Sequence, residues 1–203
     1  MSGINHRQPR CGACLGGWIT IVLLSTPAPP VCADEPKIVK GDIAMTTELI
    51  VKSGAFENGA LIPQKHAGDG ENVAPPLQWG GAPAGTKEFA IISDDPDAPV
   101  TEPWVHWVVY GIPAGVTSLP EGKPGASIPS SPPGMKEGKG TSGKTGYSGP
   151  APPRGHGRHR YYFKVYALDT NMALPPGAAK AALLKAMEGH VLAQGQTMGA
   201  YER

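Results

Sequence analysis

Alternation of apolar and polar residues at the period of a β-strand runs through most of the chain. Residues 43–51 put Ile43, Met45, Thr47, Leu49 and Val51 on one face and predict a strand. Asn58-Gly59 signals a turn. The loop 68–76 (GDGENVAPP) leaves room for only a short strand at 77–79. Residues 89–93 (FAIIS) form an apolar run that Pro96 and Pro99 must stop, because proline has no N–H for a ladder. In residues 104–110 (WVHWVVY), Trp104, His106, Val108 and Tyr110 alternate against Val105, Trp107 and Val109. Both faces are apolar, which predicts a central strand covered on both sides, with Trp107 facing away from His106. Residues 159–168 separate His159, Tyr161, Phe163, Val165 and Ala167 from Arg160, Tyr162, Lys164, Tyr166 and Leu168. Helical spacing appears only at 178–188, where Ala182, Leu183, Ala186 and Met187 make a stripe and Gly189 is the stop. Residues 191–201 predict a closing strand. The pattern is mainly β with one late helix.

The 203 residues suffice for one domain with its own core. Residues 1–33 fall outside that core. Arg7 and Arg10 precede the apolar run 18–24, and Val31-Cys32-Ala33 precedes Asp34: positive, apolar, small, the build of a secretory signal peptide. The run is well short of the roughly 20 residues a membrane span needs, so the mature chain is expected to be 34–203, exported to the bacterial periplasm and without stable membrane insertion. Cys11, Cys14 and Cys32 all lie in the removed segment, so Cys11-Gly-Ala-Cys14 carries no metal or redox reading. The mature chain keeps 16 basic and 17 acidic residues, a net charge of −1, and has no electrostatic footprint for nucleic acid. Residues 112–158 are rich in Gly, Pro, Ser and Lys, and 127–144 read as an exposed, mobile loop within them.

Candidate chemistry concentrates at strand ends. Asp95 and Asp97 close one strand, His106 lies in the next, and His159 with Tyr161 opens a third. If these strands are neighbours, two imidazoles, a phenol and a carboxylate converge with no Lys or Arg among them. Such a set can hold a tetrahedral anion through imidazolium and phenol donors and loop N–H groups. A carboxylate beside a phosphate repels it unless a proton or an ammonium intervenes, so Asp95 either orients an imidazole or meets a cationic head group. Neither HExxH nor HxH is present for zinc or iron, and no G-x-S-x-G supports a serine hydrolase. We therefore expect no metal, no cofactor and no catalytic residue.

Asp95-Pro-Asp-Ala-Pro99, Trp104-Val-His-Trp107, Gly146-Tyr-Ser-Gly-Pro-Ala-Pro-Pro153 and Gly157-Arg-His-Arg-Tyr161 resemble the phosphatidylethanolamine-binding protein family, in its bacterial YbhB/YbcL, Raf-kinase-inhibitor-like branch. The loop Gly70-Glu-Asn72 and Pro75-Pro-Leu-Gln-Trp79 is similar as well. The resemblance implies a mainly β single domain with a large central sheet, a smaller sheet and a C-terminal helix. It also implies a ligand pocket of Asp95, His106, Pro152, Pro153, His159 and Tyr161, supported by Asp97, Trp104, Ala151 and Gly155. This sequence departs from the family at Ala74, where serine is favoured, and at Thr141, where asparagine often stands.

The expected function is therefore an exported binding protein for a small phosphorylated or anionic group, such as a phosphoethanolamine-like head, without turnover. A protein-level inhibitor acting on a protein partner through the pocket-rim loop is the second reading. A hydrolase or lyase using His106 and His159 as acid and base is the third.

Overall fold

The computed structural model describes residues 47–122 and 132–203. The expected signal peptide, the positions Ile43 and Met45, and 127–131 of the expected mobile loop lie outside the described residues. In chain order the strands are β1 (Thr47–Glu48), β2 (Ile50–Ser53), β3 (Leu77–Gly80), β4 (Glu88–Asp95) and β5 (Trp104–Pro113), then β6 (Ser118–Leu119), β7 (Lys136–Glu137), β8 (His159–Leu168) and β9 (Val191–Tyr201). Helix α1 (Lys180–Met187) lies between β8 and β9. Six strands form one sheet in the order β1-β9-β8-β4-β5-β7, and β2-β3-β6 form a second. This is the mainly β architecture with a large sheet, a small sheet and a C-terminal helix.

Both faces of the large sheet are covered. In β4, Phe89 and Ile91 join a core with Leu49, Trp79, Trp107 and Phe163, while Ala90 and Ile92 pack with Val108, Tyr110, Leu183 and Met187 beneath α1. Two-sided burial is why β4 reads as a continuous apolar run rather than an alternating one. The alternation predicted for 159–168 holds along β8, with His159, Tyr161, Phe163, Val165 and Ala167 all buried. Helix α1 is held to the sheet by Asp94, a buried carboxylate that accepts from Lys164 at 2.8 Å and from Lys180 at 2.6 Å.

Five expectations change. The single strand predicted over 43–51 divides at Leu49: Thr47–Glu48 runs parallel to β9, whereas Ile50–Ser53 pairs antiparallel with β3. The alternation survives, since Leu49 and Val51 are buried and Ile50 is 65% exposed. What changes is the partner, as happens where a strand passes from one sheet to another.

The strand at 104–110 is covered on both faces but is second from the sheet's edge, flanked by β4 and by the two residues of β7. Its register against β4 shifts between Ser93 and Asp94, which pair with Trp107 and Val105. His106 is thus an extra residue in β5. Such a bulge turns two successive side chains toward one face, so His106 and Trp107 do not face opposite ways.

The segment 127–144 is not a free loop over its described part. Residues 136–137 pair with β5, Gly138 N–H donates to Val108 O at 2.8 Å, and Thr141 N–H donates to Val105 O at 3.0 Å. A Cβ on Gly140 would stand 2.6 Å from the Val105 carbonyl oxygen, so only glycine lets the segment lie this close to β5. In α1 the buried stripe is narrower than predicted: Leu183 and Met187 are buried and Ala186 half-buried, but Ala182 is exposed.

Candidate functional site

Three strand ends and one loop enclose a cavity of about 300 Å³. Strand β4 lies between β5 and β8, so their ends are neighbours. Alternation along β4 aims Asp94 at α1 and Asp95 at the cavity. The bulge in β5 brings His106 to the same cavity, and positions i and i+2 of β8 supply His159 and Tyr161. Pro152 and Pro153 line the cavity from the loop, and Trp104 and Ala151 are among its other lining residues. All six predicted pocket residues therefore line one space.

Asp97 and Gly155 do not line the cavity. Asp97 accepts from the Arg160 backbone N–H at 2.9 Å and from its guanidinium at 2.9 and 2.7 Å, a pairing on the outer face that holds its carboxyl below the usual range. Asp97 thus ties the turn after β4 to the start of β8. Gly155, at φ +76°, shapes the rim loop.

The loop 146–153 is pinned from several sides. Tyr147 Oη donates to His66 O at 2.9 Å, Gly149 N–H to Asn72 Oδ1 at 2.7 Å, and Gly68 N–H to Pro150 O at 2.7 Å. Arg203 holds the rim from the far end of the chain, donating to Pro152 O at 2.5 Å and Ala151 O at 3.3 Å. Thr141, one of the departures from the family pattern, accepts the Val105 N–H at 2.8 Å immediately beside the bulge.

Each imidazole is oriented through Nδ1. His106 Nδ1–H donates to Ser148 O at 2.6 Å, which leaves Nε2 without a hydrogen-bond partner among the described residues. His159 Nδ1–H donates to Asp95 Oδ2 at 2.8 Å, and Asp95 Oδ1 accepts the Asp97 N–H at 2.8 Å. Asp95 therefore orients an imidazole. Tyr161 is 1% exposed and stands edge-on to His106, with ring centroids 5.1 Å apart. Its hydroxyl is buried and has no hydrogen-bond partner among the described residues.

The electrostatics follow from burial. Burial pushes His106 below the ordinary histidine value, so the ring is neutral near pH 7. Burial, reinforced by the Asp95 charge, pushes the Tyr161 phenol well above its usual range, so it stays a donor. Among the described residues no Lys or Arg side chain lines the cavity, and none of the His, Cys, Asp and Glu groups is arranged to hold a metal.

Sequence reasoning missed Asn72, His156 and Arg203. Asn72 has φ +56°, a backbone state that asparagine tolerates better than most residues. Its place in Gly70-Glu-Asn72 was the available signal. His156 lies three residues before His159, in Gly155-His-Gly157. Arg203 offers no local signal.

A six-stranded and a three-stranded sheet, with a cavity at the strand ends under a Gly/Pro loop, define a mainly β fold. The chain belongs to the phosphatidylethanolamine-binding protein family, whose sequence profile matches residues 52–202. It is 47% identical over 153 residues to a UPF0098 protein of Methanothermobacter thermautotrophicus, a match covering 75% of this chain and 98% of the relative. The crystal structure of Escherichia coli YbcL, described as a new member of the mammalian PEBP family, superposes with a TM-score of 0.72 at 33% identity, over 77% of this chain and 99% of YbcL. A Mycobacterium tuberculosis protein named as a candidate lipoprotein, LppC, is 38% identical over 186 residues, covering 90% of this chain and 79% of the relative.

Proposed function

We propose that this is an exported binding protein that holds a small tetrahedral anion, such as the phosphate of a phosphoethanolamine-like head group, without turning it over. The observation that carries this reading is the buried Tyr161 hydroxyl, without a hydrogen-bond partner among the described residues, in the cavity that His106 also lines. A buried donor left without a partner costs about 1–3 kcal/mol, and a bound anion removes that cost. His106 is fixed by Ser148 so that Nε2 is its free nitrogen. Proton uptake there converts an acceptor into a charged donor. Val100, Pro152 and Pro153 give the cavity an apolar wall beside these donors.

Binding without turnover is the simpler chemistry here. Ser148 lines the cavity, but its carbonyl serves His106, and its hydroxyl makes no hydrogen bond to either imidazole among the described residues. Export is supported by the positive, apolar, small order of residues 1–33 and by the lipoprotein name of the mycobacterial relative.

Calorimetric titration with inorganic phosphate and O-phosphoethanolamine at pH 6 tests the reading. Both are expected to bind, with Tyr161→Phe and His106→Ala each weakening affinity about tenfold or more, the worth of a hydrogen bond to a charged group. Absence of binding by the wild-type protein overturns it.

A further inference from the structure

Both ring nitrogens of His159 are engaged within the protein. Nδ1 donates to Asp95, and Nε2 stands 2.9 Å from Nδ1 of His156. Because the carboxylate requires the proton on Nδ1, Nε2 of the neutral ring is an acceptor, and His156 Nδ1–H is its donor. His159 is 2% exposed, whereas His156 is exposed and stands outside the cavity walls. His156 therefore holds, from the solvent side, the one nitrogen of His159 that an anion could use. The two rings lie 5.1 Å apart between centroids. Around the pair stand Asp95 at the end of β4, Asp97 in the turn after it, His106 from β5, Tyr161 from β8, and Arg203 at the chain end.

The surroundings let the His156 ring move while its backbone stays in place. His156 N–H closes a turn on Pro153 O at 3.1 Å, and Gly155 N–H reaches Arg203 O. The flanking Gly155 and Gly157 sit at φ +76° and +83°, with nothing within 4 Å of where a Cβ would be. His156 itself is exposed, and exposed side chains change rotamer on the ps–ns scale.

We propose that His156 is a positioning residue that latches the anion site: its imidazole occupies Nε2 of His159, and an incoming anion takes that nitrogen over as His156 turns into solvent. The inference rests on the anion reading above and adds a third histidine to it. In the loaded state His159 takes up one proton from solvent at Nε2 and donates it to the anion while Asp95 still holds Nδ1–H, so binding is accompanied by net uptake of a proton. An anion that cannot compete for Nε2–H is left with His106 and Tyr161 alone. His156 thereby sets which anions enter fully.

Sulfate, which has no exchangeable proton near neutral pH, is the probe. Its affinity is measured by calorimetry at pH 6 for the wild type, His156→Ala and His156→Gln. The latch predicts that His156→Ala binds sulfate about three- to tenfold tighter, one net hydrogen bond being removed from the competition. His156→Gln, whose amide N–H can still reach Nε2, should return to within about twofold of wild type. Imidazole ¹⁵N spectra should show His159 Nε2 passing from acceptor to protonated donor on saturation with sulfate. Weaker binding by His156→Ala, unchanged binding, or ring signals unmoved at saturation each overturns the latch while leaving the anion site standing. Binding of sulfate by neither wild type nor His156→Ala overturns the latch, and absence of inorganic phosphate binding as well overturns the anion reading with it.

Discussion

His106 and Trp107, consecutive in β5, turn toward the same side of the large sheet, because His106 is the extra residue opposite the Ser93–Asp94 step of β4. One bulge thereby separates two tasks. His106 reaches the cavity beside Tyr161, while Trp107 enters the core edge-on to Tyr147, with ring centroids 5.7 Å apart.

That division predicts unequal costs. Trp107 is 1% exposed and its Nε1–H donates to Glu137 at 2.9 Å. Trp107→Ala should cost about 3–5 kcal/mol in denaturant unfolding. His106→Ala, which chiefly leaves the Ser148 carbonyl without its donor, should cost about 1–2 kcal/mol. Equal losses would make His106 a core residue first and a site residue second.

His106 also predicts an acid-sensitive component of stability. Its folded value lies below the ordinary 6.5 because burial penalises the cation. Below about 6.5 the unfolded chain binds a proton that the folded protein does not. The contribution is thus fully present above that value and is lost as pH falls toward the lowered folded value. Subtracting the stability of His106→Gln from that of the wild type, from pH 5 to 8, isolates it. The difference should shrink with acid, and sulfate should oppose the loss.

Asp95 orients His159, so Asp95→Asn replaces a charge-assisted hydrogen bond by a neutral one of about half the strength. Phosphate and phosphoethanolamine should both lose affinity, by about tenfold. Titration calorimetry separates this from a contact to a ligand ammonium, for which phosphoethanolamine alone would weaken.

Gly195 is where the crossing segment between the sheets meets β9. A Cβ there would collide with the Leu49 carbonyl oxygen, and Leu49 N–H donates to Gln194 O at 2.9 Å. Gly195→Ala should destabilise the fold by about 1–3 kcal/mol, the usual range for overpacking, without weakening phosphate binding at 25 °C. Thermal unfolding and calorimetry on the same sample check both halves.

Export predicts a mature chain beginning at Asp34. Intact-mass measurement on protein recovered from the cell envelope checks it. Retention of residues 1–33 would remove the periplasmic proposal.

Local period was enough to fix the faces of β8, the extent of β9 and the two-sided burial of β5, because side-chain alternation is a property of the strand itself. Recognisable motifs likewise named six of the residues that line the cavity. What the sequence could not determine depends on partners distant along the chain. Asp95 meets His159 across 64 positions, and Arg203 reaches Pro152 across 51. The bulge at His106 exists only relative to β4, so a period count within β5 assigns His106 to the wrong face while keeping Trp107 with Val109. The division at Leu49 likewise depends on which sheet edge lies on each side, and residues 136–137 become a strand only because β5 has an open edge beside them. The His156–His159 contact is close in sequence, yet it needs the rim loop to be folded back by the turn at Pro153 and pinned by Arg203. Local chemistry chose the residues of this site; register and loop closure decided which of their atoms face the cavity.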